Sequence, residues 1–180
     1  MATPINSSSR RTKASRTLLN VVLCGMFTAV LFVSKETIAW LIPHVEVVTL
    51  LIAVYATVFG WWTAPSIMVF AVLQGVWYGF SIWWVMYLYI WYVPMLLGIL
   101  LRRVRNPIPM AFLCGLFGLA FGALCALPYL FIEGWSFALA WWINGLAFDI
   151  PHAIANFCVA LVLFYPLRLA MEQIKRQLRL

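Results

Sequence analysis

A series of long apolar runs, separated by short polar or basic segments, makes up most of this chain. Of its 180 residues, 66% are hydrophobic and only 9% are charged. About 20 consecutive apolar residues are enough for a helix to cross the ~30 Å of hydrocarbon in a bilayer. Because every backbone polar group needs an internal partner there, such runs form helices rather than open sheets. The sequence therefore predicts an all-α membrane protein.

The limits of the apolar runs predict a bundle of six transmembrane helices. We expect the helices at residues 17–41, 46–60, 65–78, 85–101, 108–131 and 143–165, with an interfacial lead-in at 136–142. The expected domains are a disordered basic cytoplasmic tail at 1–16, a six-helix transmembrane domain at 17–167 and a basic cytoplasmic tail at 168–180. We do not expect a signal peptide, because the first apolar run is too long and lacks a small-residue cleavage site.

Basic residues predict the orientation of this bundle. They fall in three clusters at the ends of apolar runs, at residues 10–16, 102–105 and 168–179. If the N-terminus is inside, eleven of the 12 lysines and arginines obey the positive-inside rule, and Lys35 is the exception. We therefore expect both termini in the cytoplasm and the chain in the plasma membrane. The formal charge of +7 suits anionic lipid headgroups rather than nucleic acid.

The last apolar run contains an unusual polar stretch, N-G-L-A-F-D-I-P-H-A-I-A-N, at residues 144–156. Ionisable groups at membrane depth are expensive and often functional. On a helix, Asp149, His152 and Asn156 project from one face, and Pro151 removes a backbone donor beside them. This face is either part of a ligand site or a structural polar cluster that fixes the helix to its neighbours.

Further candidate site residues lie on the predicted outer side: His44, Glu46, Trp83, Trp84, Tyr87 and Asn144. Glu46 stands in the first turn of the second helix, where it either caps the helix dipole or contacts a ligand. Five aromatic rings within residues 77–84 indicate either an interfacial belt or a surface on which a flat ligand stacks. We expect a cavity closed by the turn at 42–46, the loop at 77–84 and the segment at 133–145.

A stripe of small residues follows the fifth predicted helix. Gly115, Gly118, Gly122 and Ala126 recur at helical spacing. Such a stripe forms either a close packing seam between helices or the wall of a roomy cavity.

Several kinds of chemistry have no motif in this sequence. No phosphate-binding Gly-Lys-Ser/Thr loop, nucleophile elbow or H-E-x-x-H zinc helix occurs. The four cysteines lie inside apolar runs without C-x-x-C spacing, so we expect neither a metal site nor a disulfide framework, and no cofactor. Asp149 and His152 could form an acid–base pair, which leaves an intramembrane enzyme as the rival hypothesis.

Three segments resemble the substrate-binding S components of energy-coupling factor (ECF) vitamin transporters. They are P-H-V-E-V-V-T-L-L-I-A-V-Y-A at 43–56, Y-G-F-S-I-W-W-V-M-Y-L-Y-I-W at 78–91 and F-D-I-P-H-A-I-A-N at 148–156. The first helix also carries a small-x-x-x-small pair, Gly25 and Ala29, where the family typically has two alanines. The resemblance covers nearly the whole chain and is greatest to the cobalamin branch.

This resemblance implies a vitamin-binding membrane subunit that is not itself an enzyme. Gly25 and Ala29 would dock on a transmembrane coupling subunit, and two partner ATPase subunits would hydrolyse ATP. The implied ligand is cobalamin, and folate, a thiamine precursor or thiamine, and riboflavin are the alternatives. The expected ligand contacts are His44, Glu46, Trp83, Trp84, Tyr87, Asn144, Asp149 and His152.

Overall fold

The computed structural model of the chain describes residues 13–41 and 45–178. Within these ranges the chain is helical and contains no strand, which confirms the predicted all-α class. The seven α-helices are α1 (Lys13–Leu41), α2 (Val48–Phe59), α3 (Ala64–Tyr78), α4 (Ile82–Ile90), α5 (Tyr92–Leu100), α6 (Pro107–Ile132) and α7 (Trp135–Gln177), and a 3₁₀ turn (Gly60–Thr63) joins α2 to α3. His44 and residues 1–12 of the expected first tail lie outside the described residues.

Among the described residues, five helical stretches are long and apolar enough to cross a membrane. They are Thr17–Ile38, Val48–Tyr78, Ile82–Leu100, Pro107–Ile132 and Trp135–Gln177. Large apolar side chains on several of the helices are exposed, as expected for surfaces that face hydrocarbon. The second stretch joins α2 and α3, which were predicted as two separate helices.

Contacts with α1 define the direction of α3. The Thr28 hydroxyl donates to the carbonyl of Ser66 at 3.2 Å, near the start of α3. Further along both helices, the Gln74 amide donates to the Glu36 carboxylate at 3.0 Å. Since later residues of α1 meet later residues of α3, the two helices run in the same direction.

The direction of α2 is opposite to that of α1. Phe27 stacks on Tyr55 near the end of α2, with 4.2 Å between ring centroids, whereas Ile38 and Val47 line a common cavity. The chain reverses at Gly60, whose φ of 61° lies in the region that glycine adopts without strain. The stretch from α2 to α3 therefore folds back on itself.

Helix α2 lies at the centre of the molecule. All eleven residues from Val48 to Val58 are buried, and α5 and α7 are its main neighbours. The segment is apolar all round, which is the pattern of a helix enclosed by others. Two core clusters meet on it, one through Ile52 and Tyr55 and the other through Leu50 and Val54.

The fourth predicted helix, 85–101, is divided in the structure. α4 ends at Ile90 and α5 begins at Tyr92. Pro94 has no backbone N–H, and its ring would clash with the carbonyl of Ile90 in a continuous helix. The two helices are separated by one residue, Trp91, so the predicted disturbance near Pro94 takes the form of a short interruption.

The last helix is longer than the predicted span. α7 includes the expected lead-in at 136–142 and ten residues of the expected tail. Arg168 is buried, and its guanidinium donates to the carbonyl of Arg102 at 2.6 Å and to the carbonyl of Val104. The second and third basic clusters therefore meet at one end of the bundle, which we call the basic end.

Candidate functional site

A cavity of about 340 Å³ lies between α1, the segment that precedes α2, the end of α4, α6 and α7. Its wall contains four aromatic rings, those of Tyr87, Trp91, Phe121 and Phe148. The polar side chains in the wall are Ser34, Lys35, Glu46 and His152, and three aliphatic side chains complete it. Along α7, His152 precedes the buried Arg168 by about 24 Å at 1.5 Å per residue. The cavity therefore lies at the end of the bundle opposite the basic end.

Glu46 combines helix capping with a place in the cavity wall. The backbone N–H and the hydroxyl of Thr49 donate to its two carboxylate oxygens at 2.8 and 2.6 Å. His152 Nε2 lies 4.0 Å from the same carboxylate. Burial raises the pKa of the Glu46 carboxyl above its usual range, against the opposing effects of His152 and of the Thr49 hydrogen bonds. The predicted position of Glu46 in the first turn is wrong, because α2 begins at Val48, but its side chain still caps the helix from the preceding segment.

The polar side chains of α7 lie in two different environments. His152 lines the cavity, whereas Asp149 turns into the contact between α6 and α7. There the backbone N–H of Gly122 donates to both Asp149 carboxylate oxygens, at 3.1 and 3.0 Å. Asn156 Nδ2 lies 3.4 Å from His152 Nε2, one turn further along the helix. Asp149 is therefore a structural contact in this arrangement, and His152 is the member of the face that can reach a ligand.

The glycine stripe of α6 is a close packing seam with α7. A Cβ at Gly118 would lie 2.9 Å from the backbone of Ala153, and one at Gly115 would lie 3.2 Å from Phe157. At Gly122 the added atom would lie 3.0 Å from the carboxyl carbon of Asp149. Of the two interpretations left open by the sequence, the structure therefore supports the packing seam.

The predicted aromatic loop has mainly structural contacts. The Trp84 indole donates to the carbonyl of Ala71 at 2.9 Å, and its ring packs against Phe80. Trp83 packs edge to face against Tyr87, with 5.2 Å between ring centroids. Trp83 therefore contacts a residue of the cavity wall without lining the cavity itself. Neither tryptophan lines the cavity; both fix α4 in place, and Tyr87 is the residue of this group that reaches the cavity.

Asn144 does not join the cavity either. It is exposed on α7, about one helical turn before Phe148, and is not among the residues that line the cavity. The structure thus brings Glu46, Tyr87 and His152 together and leaves Trp83, Trp84, Asn144 and Asp149 outside the cavity wall.

Sequence reasoning missed the other eight residues of the cavity wall, including Ser34, Trp91, Phe121 and Phe148. Phe148 could have been found, because it precedes His152 by one helical turn and stacks on it with 5.4 Å between ring centroids. Trp91 could not have been found in this way, because it lies at the break between α4 and α5. Its Nε1–H is buried and has no acceptor among the described residues.

The described residues offer no group of three His, Cys, Asp or Glu side chains placed to hold a metal ion. Comparison of the chain with protein-family models, with curated proteins and with solved structures finds no match. The fold and the cavity define a class: an all-helical protein, consistent with a membrane protein, that has a partly buried aromatic cavity at one end.

Proposed function

We propose that this chain is the substrate-binding membrane subunit of an ECF-type vitamin uptake transporter in the plasma membrane. The observation that carries the proposal is the cavity at the end of the bundle opposite the basic end. Small-molecule sites are concave, mostly apolar and lined by a few polar groups, as this cavity is. ATP hydrolysis would be supplied by two partner subunits, since the sequence has no nucleotide-binding loop.

The proposed topology has six membrane crossings with both termini in the cytoplasm. It is supported by the opposite directions of α2 and α3, which make two crossings of the 31-residue stretch Val48–Tyr78. It is also supported by the basic end, where the arginines of the loop before α6 meet those of α7. The basic end would face the cytoplasm, and the cavity would open toward the outside.

Cysteine labelling from outside the cell tests this topology. In a variant without the four native cysteines, single cysteines at Ser8, Asn106 and Gln177 are expected to resist a membrane-impermeant maleimide. Glu133→Cys, at the exposed turn between α6 and α7, should be labelled and serves as the positive control. External labelling of any of the first three positions in intact cells would contradict the proposed orientation.

The proposed docking surface for the coupling subunit is the exposed face of α1 around Gly25 and Ala29. Both residues are exposed, and a Cβ at Gly25 would meet nothing within 4 Å. Large apolar side chains flank them, with Val22 47% and Met26 57% exposed. Small residues on such a face allow a second helix to approach closely.

Substitutions on this face test the transporter proposal. Gly25→Leu and Ala29→Leu are expected to reduce co-purification with the coupling and ATPase subunits at least tenfold, while vitamin binding by the isolated chain is unchanged. Ala140→Leu, at an exposed position of α7, is the matched control and should retain both properties. Wild-type chain that recovers no ATPase from native membranes would refute the proposal and favour the enzyme hypothesis. Loss of both properties together would refute the docking surface.

The identity of the vitamin is a prediction from the resemblance, with cobalamin as the first choice. A cavity of about 340 Å³ is at the lower end of the ~300–1,000 Å³ range of small-molecule sites. A corrin with its attached nucleotide is much larger, so cobalamin would require the helix ends around the cavity to separate. The cavity as described favours one of the smaller alternative vitamins.

A further inference from the structure

The charges around the cavity are not balanced by the described residues. The Lys35 ammonium lies 3.4 Å from the Glu36 carboxylate, which also accepts hydrogen bonds from Gln74 and Tyr78. Lys35 is therefore already neutralised by its neighbour. Glu46, by contrast, has no lysine or arginine of the described chain within 4.0 Å, and its nearest basic group is the His152 ring.

Glu46 thus presents a largely buried carboxylate without a permanent positive partner. Its side chain is 16% exposed. A buried carboxylate is costly unless it is paired or well hydrogen-bonded. The two bonds from Thr49 and one from the backbone N–H of Val48 offset this cost only in part, since burial still raises the pKa of Glu46. A cation in the cavity would supply the missing charge.

The aromatic wall suits a flat positive group. Tyr87 and Trp91 meet at 83° with 5.4 Å between centroids, and Trp91 and Phe121 meet at 52° with 6.2 Å. Rings set at such angles present both faces and edges, and the faces attract cations. The buried Trp91 Nε1–H adds a hydrogen-bond donor without an acceptor in the described chain. A buried donor of this kind is expected to find a partner, here a ligand atom.

We propose that the cavity binds a small heteroaromatic cation, with its positive group at Glu46, its ring against Tyr87, Trp91 and Phe121, and an acceptor atom at the Trp91 indole. This inference rests on the proposed function only in taking the cavity as the ligand site. It does not depend on docking to the coupling and ATPase subunits. Among the alternative vitamins it favours thiamine over folate, which is anionic, and over riboflavin, which is uncharged.

Matched pairs of charged and uncharged compounds test the proposal by calorimetric titration of the purified chain. The pairs are thiamine with hydroxymethylpyrimidine, and 1-methylnicotinamide with nicotinamide; folate, riboflavin and cobalamin complete the panel. We expect each cation to bind at least tenfold more tightly than its uncharged counterpart, with thiamine the tightest of the panel. Equal or reversed affinities within the pairs, or no binding of either cation at millimolar concentration, would overturn the proposal.

Substitutions then locate the charge preference. Glu46→Gln keeps the shape of the side chain and is expected to weaken thiamine binding about tenfold to a hundredfold, while nicotinamide binding changes less than threefold. Glu133→Gln, at an exposed glutamate outside the cavity, should leave thiamine affinity unchanged. Trp91→Phe is expected to cost about threefold to tenfold. Thermal unfolding of each variant separates loss of binding from loss of fold.

Two outcomes distinguish this inference from the proposed function. If Glu46→Gln binds thiamine as tightly as the wild type, the cation site is refuted even where the chain still co-purifies with ATPase subunits. If the cation preference is present and no ATPase subunit co-purifies, the site stands and the transporter proposal fails.

Discussion

Replacing Gly122 with alanine is expected to lower the free energy of unfolding by roughly 2–5 kcal/mol. The added methyl group would lie 3.0 Å from the Asp149 carboxyl carbon and still closer to one carboxylate oxygen. Asp149 is 1% exposed and packed in the seam, so it has little room to retreat. Moving it away would also break its bonds from the Gly122 N–H. The substitution therefore overpacks the seam between α6 and α7 and also removes the buried hydrogen bond from the Gly122 N–H to the Asp149 carboxylate.

Gly145→Ala is the matched control for this substitution. Gly145 lies in α7, and a Cβ there would meet nothing within 4 Å. Because alanine favours a helix by up to ~1 kcal/mol over glycine, this variant should be neutral or slightly more stable. Thermal unfolding in one detergent, followed by circular dichroism, compares the two. Similar melting temperatures for both variants would show that the α6–α7 seam is looser than the structure indicates.

Arg168→Met is the second substitution with a large expected effect, a loss of roughly 3 kcal/mol or more. Methionine keeps the apolar stem but removes the donors to the carbonyls of Arg102 and Val104 and to the Glu172 carboxylate, which Arg168 meets at 3.1 Å. Hydrogen bonds from a charged group contribute about 1.5–3 kcal/mol each, and two backbone carbonyls would lose their partner. The loop between α5 and α6 should detach from α7.

Limited proteolysis and thermal unfolding measure this effect. We expect the loop around Arg102 to become the first site of cleavage in Arg168→Met. Arg103→Met, at an exposed position of the same loop, removes a positive charge without these bonds and should resemble the wild type. A wild-type cleavage pattern in Arg168→Met would mean that the loop is held by other contacts.

The sequence predicted the helices better than their ends. The apolar runs marked every helix, because burial in hydrocarbon or in the core needs continuous apolar sequence. Pro94 correctly indicated a disturbed helix. Pro151 and Pro166, in contrast, stand inside α7 without ending it. Neighbouring helices can re-satisfy the backbone groups that a proline frees within a membrane bundle, so proline alone does not mark a boundary there.

The candidate site was only partly predictable for a similar reason. Glu46, Tyr87 and His152 are far apart in sequence and meet because the segment before α2 packs beside α7 while α4 packs on α6, which an apolar pattern does not specify. Trp84 was a reasonable candidate, yet its indole bonds to α3, since Gly75 leaves room for its ring. Where three helices converge, the identity of the facing residues depends on helix rotation rather than on local composition.

The enclosed position of α2 has a consequence for how the chain is made. Twelve residues of helix reach only about 18 Å, short of the ~30 Å of hydrocarbon. In a membrane, such a segment would be too short to cross alone, so it would enter the bilayer as a hairpin with α3. Its remaining flank is covered only when α7, which is synthesised after it, has packed against it. A chain cut short before α7 would therefore expose α2 to the cell's quality-control proteases.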